Sequence, residues 1–204
     1  MLLSNKKVFF SGYVFYVPES VYEPAEDSFL FAENLAVREG DVVLDMGTGC
    51  GILGVVAAEK AAEVVAVDVN PYAVHCAEKN AKVNGVSDKI FFLQGDLFTA
   101  IRIGEKFDLI LFNAPYLPSE DTEDDSWLGR AWSGGVAGRQ VIDRFVAEAS
   151  KYLKRDGRVF LMQSTLSGFN ETLRKFEENG LKASVVAELA LPFFETIVLV
   201  EAKW

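Results

Sequence analysis

Val42-Val43-Leu44-Asp45-Met46-Gly47-Thr48-Gly49-Cys50-Gly51 is the stretch that decides the fold of this 204-residue chain. Val42 to Asp45 reads as a strand begun by Gly40-Asp41, and the glycine turn from Gly47 to Gly51 leads into a helix through Lys60. Glu63 to Asp68 is a second strand. The next helix opens with Asn70 as N-cap and Pro71 at its first position. The Asn oxygen accepts a free backbone N–H there, and proline has no N–H to leave unpaired. That helix stops near Asn84-Gly85. Working outward, Lys89 to Gln94 and Phe107 to Phe112 are the third and fourth strands. A helix from about Gly138 to Leu153, a strand from Arg158 to Gln163 and a helix from Phe169 to Asn179 follow. Leu181 to Ala187 and Glu195 to Glu201 close the chain as strands. Upstream, Lys7 to Phe10 and Tyr13 to Val17 form a hairpin around Ser11-Gly12, ahead of an apolar helical run from Phe29 to Val37. Such alternation implies an α/β fold with a doubly wound, parallel sheet and right-handed crossovers. The last two strands have no helix between them and should form an antiparallel hairpin at one side.

The length suits one domain, and half of the residues are hydrophobic, with 16 Phe, so a large core is expected. No apolar run approaches the roughly 18 residues of a membrane span. The first seven residues lack the charge-then-apolar order of a signal peptide. A soluble, cytoplasmic protein is expected, with no membrane partner. Cys50 and Cys76 make no metal spacing and read as buried thiols, while His75 has no partner in sequence. A catalytic triad, a His-built zinc site and any other metal centre are therefore not expected. The net charge of −10 argues against direct binding to nucleic acid, although Arg130, Arg139, Arg144, Lys151, Lys154 and Arg155 fall near one another.

Chemistry gathers at the strand ends. Glycines at a strand-to-helix turn let a ligand approach the backbone, which marks Gly47, Gly49 and Gly51. A dinucleotide fingerprint would need its third glycine where Ile52 stands, and no phosphate-loop Gly-Lys-Ser/Thr follows. Asp45, just ahead of the turn, would repel a pyrophosphate and suits a positive amino or sulfonium group. Asp68 lies 21 residues after Gly47, where an acid can accept from both ribose hydroxyls. Asp96 can accept from an adenine amino group, with Leu97 and Phe98 flanking the base. Three acids at successive strand ends beside a glycine turn outline a nucleoside carrying an amino acid, which fits S-adenosylmethionine.

The fourth strand ends in Asn113-Ala114-Pro115-Tyr116. Pro115 pushes Ala114 toward an extended conformation, so the turn is stiff and its polar groups are aimed. Taken alone the tetrapeptide also reads as a loop in which Asn caps a turn and Tyr fills a gap; beside the three acids it reads as a substrate grip. Glu120 to Asp125 reads as a solvated loop tip within the polar stretch from Ser119 to Ser126.

With these residues in place the chain resembles the class I S-adenosylmethionine-dependent methyltransferases. Asn113-Ala114-Pro115-Tyr116 is similar to the Asn-Pro-Pro-Tyr motif of amino methyltransferases, with Ala114 where proline is usual. Val21-Tyr22-Glu23-Pro24-Ala25-Glu26-Asp27-Ser28 and Ala131-Trp132-Ser133-Gly134-Gly135-Val136-Ala137-Gly138-Arg139 resemble the HemK-related release factor glutamine methyltransferases. The likeness is to the short archaeal and eukaryotic branch, without the bacterial N-terminal helical domain, and spans about residues 17 to 200.

That resemblance implies a Rossmann-like, seven-stranded, mostly parallel sheet with a C-terminal antiparallel strand over residues 26–204, after an N-terminal hairpin extension over 1–25. It implies a protein-(glutamine-N5) methyltransferase whose substrate is the Gly-Gly-Gln loop of a class I peptide release factor. Asn113, Ala114, Pro115 and Tyr116 would be catalytic. Ser28, Asp45, Gly47, Gly49, Gly51, Asp68, Asp96, Leu97 and Asn113 would hold the cofactor. Tyr22, Pro24, Trp132, Gly134, Gly135 and Arg139 would meet the substrate. A small zinc-containing activator protein, or alternatively a homodimer or crystal contact, is expected to pair with the apolar edge strand 89–94. The rival readings are an adenine-N6 methyltransferase on RNA or DNA, a protein lysine methyltransferase, and a cofactor-binding module without turnover.

Overall fold

The computed structural model describes residues 6–119 and 126–204. The expected acidic tip at Glu120 to Asp125 and the first five residues of the expected extension lie outside them. Two strands, β1 (Lys6–Phe10) and β2 (Tyr13–Val17), form an antiparallel hairpin. After α1 (Glu26–Glu33) come β3 (Val42–Met46), α2 (Ile52–Ala57), β4 (Glu63–Asp68), α3 (Pro71–Val83), β5 (Ile90–Gln94) and β6 (Phe107–Asn113). The second half holds α4 (Trp127–Trp132), α5 (Gln140–Ala149), β7 (Leu153–Ser164), α6 (Phe169–Glu178), β8 (Lys182–Ala190) and β9 (Thr196–Lys203).

The seven-stranded sheet runs β5-β4-β3-β6-β7-β9-β8. Strands β3 to β7 pair in parallel, and β9 is antiparallel to both β7 and β8. The expected closing hairpin is present, with β8 at one edge and the expected edge strand, β5, at the other. Successive side chains leave opposite faces of a strand, and the core divides accordingly. Val43, Leu109, Leu111, Phe160, Met162 and Leu199 face α1, α2, α3 and the hairpin. Leu44, Met46, Ile110, Phe112, Leu161 and Val198 face α5 and α6.

The hairpin is stitched to the domain by α3. Asn80 Oδ1 accepts from Tyr16 N at 2.9 Å, and its Nδ2 donates to the Tyr16 and Cys50 carbonyls at 3.3 and 2.8 Å. One turn later Asn84 accepts from Val14 N at 3.0 Å and donates to the Val14 carbonyl at 2.8 Å. Two asparagines four apart on one helix face thus meet two residues two apart on a strand, and serve the outer edge of β2 as a neighbouring strand would.

Several element bounds differ from expectation. Helix α1 begins at Glu26, not Phe29, because Glu26 and Asp27 suit the positive end of a helix; it ends at Glu33, well before Val37. Helix α2 stops at Ala57 rather than Lys60, where residues 58–60 continue as turns. Helix α5 is shorter at both ends than 138–153, and β7 extends to twelve residues. The short α4 was not foreseen.

Candidate active site

Parallel strands leave their carboxyl ends on one side, and the chain reverses its winding between β3 and β6, so a crevice opens there. Met46 pairs with Val67 on one side and Phe112 on the other, which sets the ends of β3, β4 and β6 level. A cavity of about 910 Å³ sits over them. Its walls carry Ser28, Gly47, Gly49, Asp68, Asp96 and Leu97 from the expected cofactor set. They also carry all four residues from Asn113 to Tyr116, and Tyr22, Pro24, Trp132 and Gly135 from the expected substrate set.

Five expected contacts do not reach the cavity as proposed or are shared with the protein. Asp45 is fully buried behind the turn; its Oδ2 accepts from Thr48 Oγ1 at 2.6 Å and Gly54 N at 3.0 Å. It holds the turn in shape instead of facing a ligand's positive group. Burial pushes its carboxyl up to about 7, against the lowering effect of those two hydrogen bonds. Gly51 caps α2 at φ +89°, and a Cβ there would lie 3.1 Å from Ala77 Cα and Cβ, so it is the helix α3 backbone that this glycine admits. Gly134 and Gly138 likewise make room for the protein's own chain. A Cβ at Gly134 would sit 2.6 Å from the Gly138 carbonyl, and one at Gly138 2.3 Å from the Tyr116 carbonyl oxygen. Arg139 turns away to the start of α6, where Nη1 donates to the Ser167 and Gly168 carbonyls at 2.6 and 2.8 Å and Nη2 pairs with Asp143 at 2.7 Å. The fifth, Asp96, does line the cavity, but its Oδ2 pairs with Arg144 at 2.7 Å.

Asp68 is fixed by two backbone donors, Gly49 N on Oδ2 and Asn70 N on Oδ1, both at 2.9 Å. Burial pushes its carboxyl up, against those bonds. The loop after Tyr116 is tied to the stretch after α4 through Leu117 N to the Trp132 carbonyl and Gly134 N to the Leu117 carbonyl, both 2.9 Å. Helix α4 adds Trp127 and Arg130 to the rim, with the guanidinium 5.3 Å from the indole centroid. Its six residues are too few to show a helical period, although Ser126, which accepts from Gly129 N at 3.0 Å, was a legible cap.

The residue that sequence reading missed is Asp27. It lies in the first turn of α1, 6 % exposed, and touches the end of β6. Asn113 Nδ2 donates to its Oδ2 at 3.1 Å and to Ser28 Oγ at 3.3 Å, and Tyr116 Oη donates to Oδ2 at 3.3 Å. On the other oxygen, Oδ1 accepts from Tyr22 Oη at 3.2 Å, Ser28 N at 2.6 Å and Ser28 Oγ at 3.2 Å. Burial, then the nearby Asp27 charge, raises the hydroxyls of Tyr22 and Tyr116 beyond their ordinary range, so both remain donors. Asn113 Oδ1, by contrast, is buried with no hydrogen-bond partner among the described residues. His75 is on α3 beside Glu78 and outside the cavity walls.

Residues 22–128 match the family model of the methyltransferase small domain. Over 181 residues the chain is 46% identical to a putative protein N5-glutamine methyltransferase of Methanocaldococcus jannaschii, covering 88% of this chain and 90% of that one. It is 31% identical to the methyltransferase HEMK2 of Homo sapiens, covering 80% and 81% of the two chains. Among solved structures, the E. cuniculi Mtq2-Trm112 complex, described as responsible for methylating the eRF1 translation termination factor, aligns at a TM-score of 0.69. That alignment is 26% identical and covers 90% of this chain and 98% of its counterpart.

Proposed function

This chain belongs to the small-domain methyltransferase family, and from that premise we propose that it methylates the side-chain amide nitrogen of the glutamine in the Gly-Gly-Gln loop of a class I peptide release factor, with S-adenosylmethionine as donor. The observation that carries the reading is Asn113, which lines the same cavity as the glycine turn and whose Oδ1 is a buried acceptor without a partner among the described residues. A buried acceptor left unmade costs free energy that an incoming N–H recovers.

The residues present fit the donor. Gly47 and Gly49, at φ +64° and +56°, bring bare backbone to the cavity wall. The Asp68 carboxylate is held rigidly by Gly49 and Asn70 and keeps lone pairs for ribose hydroxyls. Asp96 and Leu97, expected to meet the base, and Ser28 line the same cavity. When bound, S-adenosylmethionine supplies an electrophilic methyl group on a sulfonium.

An amide nitrogen is a poor nucleophile because its lone pair is delocalised into the carbonyl. Asn113 Oδ1 and the Ala114 carbonyl accept its two N–H groups, which turns the nitrogen and favours its pyramidal form. The Tyr116 ring, its hydroxyl tied to Asp27, offers a flat wall that stacks on the amide and excludes water. Positioning of this kind supplies up to roughly 7–11 kcal/mol in well-oriented systems. The alkylated nitrogen is acidic enough to lose its proton to water, so a strong base is not required. Ala114 takes part only through its carbonyl, and Pro115 restricts it to an extended backbone.

The β5 edge supports a partner. Phe91 and Leu93 on it are 55% and 36% exposed, and a small zinc-containing activator pairing with that strand would cover them. Incubation with methyl-labelled cofactor and either release factor or total RNA tests the acceptor. Label on the release factor supports the proposal, and label only in RNA refutes it.

A further inference from the structure

We propose that Asp27 is a positioning residue that fixes which way round the Asn113 side-chain amide stands, an inference that rests on Asn113 facing the acceptor nitrogen as described above. An Asn side chain can turn over, exchanging its oxygen and its NH2 at almost no change in shape. In one orientation Asn113 offers the cavity an acceptor, in the other a donor that would oppose an incoming N–H.

Local groups select between the two. The ionised Asp27 carboxylate only accepts hydrogen bonds. Its Oδ2 lies 3.1 Å from Asn113 Nδ2. Turned over, Asn113 would set its own oxygen against that carboxylate, two acceptors in contact in a buried place. Ser28 Oγ cannot make the same selection, because a hydroxyl both donates and accepts. The bond to Asp27 is charge-assisted and so stronger than a neutral one.

Asp27 can do this because it is itself immobilised. Tyr22 Oη, Ser28 N and Ser28 Oγ hold Oδ1, and Tyr116 Oη shares Oδ2 with Asn113. The carboxylate therefore joins α1, the segment before it and the end of β6. The consequence is visible at the opposite end of the Asn113 amide, where Oδ1 is buried and finds no partner among the described residues.

Asp27→Asn keeps the shape but lets residue 27 donate, so Asn113 can stand either way. The expected result is a fall of about 10- to 100-fold in kcat, the range of a lost hydrogen bond to a charged group. Cofactor Kd should stay within about threefold of wild type. Most of the loss should run through Asn113, so in an Asn113→Ala background Asp27→Asn should change the residual rate by only a few-fold, the share carried by its bonds to Tyr116, Tyr22 and Ser28. A full, multiplicative loss in that background overturns the proposal. Asp27→Ser, whose hydroxyl can also donate, serves the same test should the Asn variant fold poorly.

A substrate-free readout separates this inference from the choice of substrate. The Asn113 side-chain NH2, assigned by its disappearance in Asn113→Ala, should exchange slowly with solvent in the wild-type protein and at least tenfold faster in Asp27→Asn. Equal exchange in the two proteins overturns the role of Asp27 whatever the acceptor. Absence of transfer to release factor by wild-type enzyme instead overturns the proposed function.

Discussion

Asn80→Ala removes one side chain that ties three parts of the molecule together, and its cost can be worked from the contacts. Asn80 is fully buried. Its loss leaves Tyr16 N–H without the acceptor at 2.9 Å and the Cys50 carbonyl without the donor at 2.8 Å. The Tyr16 carbonyl keeps a weak donor, Cys76 Sγ at 3.2 Å. One buried and one part-buried backbone group left unpaired cost about 1–3 kcal/mol each, which brings the change to about 3 kcal/mol after partial relaxation. For a chain of this size that lowers Tm by roughly 6–12 °C, at about 2–4 °C per kcal/mol. Asn84→Ala makes the natural control, since it removes the bonds to Val14 from a half-buried site. Its expected cost is about 1 kcal/mol, where water can replace the lost partner. Because Cys50 belongs to the glycine turn, Asn80→Ala should also weaken cofactor binding, and Asn84→Ala should not. Differential scanning calorimetry and titration of the cofactor read both effects. An unchanged Tm in Asn80→Ala would refute the view that these asparagines stand in for a strand, and equal losses of Tm in the two variants would refute the larger cost assigned to the buried one.

Three further outcomes are expected. Asp41 and Arg158 form a buried ion pair at 2.9 Å, so Asp41→Ala strands a buried cation and should cost about 3–5 kcal/mol in chemical denaturation; a change under 1 kcal/mol would contradict it. The Asp45 carboxyl, raised by burial to about 7, holds a proton in the folded chain over a range where the unfolded chain has lost it. Stability from this group therefore falls as pH rises from about 4 to 7. From pH 5.5 to 8 the wild-type protein should lose about 2 kcal/mol relative to Asp45→Asn, and parallel pH curves would exclude the effect. Phe91→Asp on the β5 edge should abolish co-purification with a small activator protein and leave Tm within about 2 °C, because the side chain is already exposed; retained binding would move the partner elsewhere.

Much of the fold could be read from the sequence because local chemistry and long-range packing agree. Asn70-Pro71 can begin a helix in almost any context, and Asn70 accepts from Tyr72 N at 2.9 Å as that pairing requires. The strands of the parallel core are short apolar runs bounded by turn residues, a pattern that few other structures share. The site was harder, since residue type says little about where a side chain points. Asp45, Gly51, Gly134 and Arg139 sit in the right motifs, yet they hold the walls of the cavity from behind. Asp27 shows the reverse failure. In sequence it is an acid suited to a helix start, while the partners that give it another use, Asn113 and Tyr116, are 86 and 89 residues away. Helix α4 was lost for a simpler reason: six residues carry less than two turns of pattern.

The most direct measurement is mass spectrometry of a class I release factor after incubation with this enzyme and S-adenosylmethionine, comparing wild type with Asn113→Ala. A single methyl group on the glutamine of the Gly-Gly-Gln loop is expected with wild type. With Asn113→Ala the rate should fall by about 100- to 1,000-fold, the scale for losing one donor or acceptor placed at the reacting atoms, at nearly unchanged cofactor Kd. An unmodified glutamine with wild-type enzyme, or equal modification by both proteins, would contradict the reading of Asn113 as the grip on the acceptor amide.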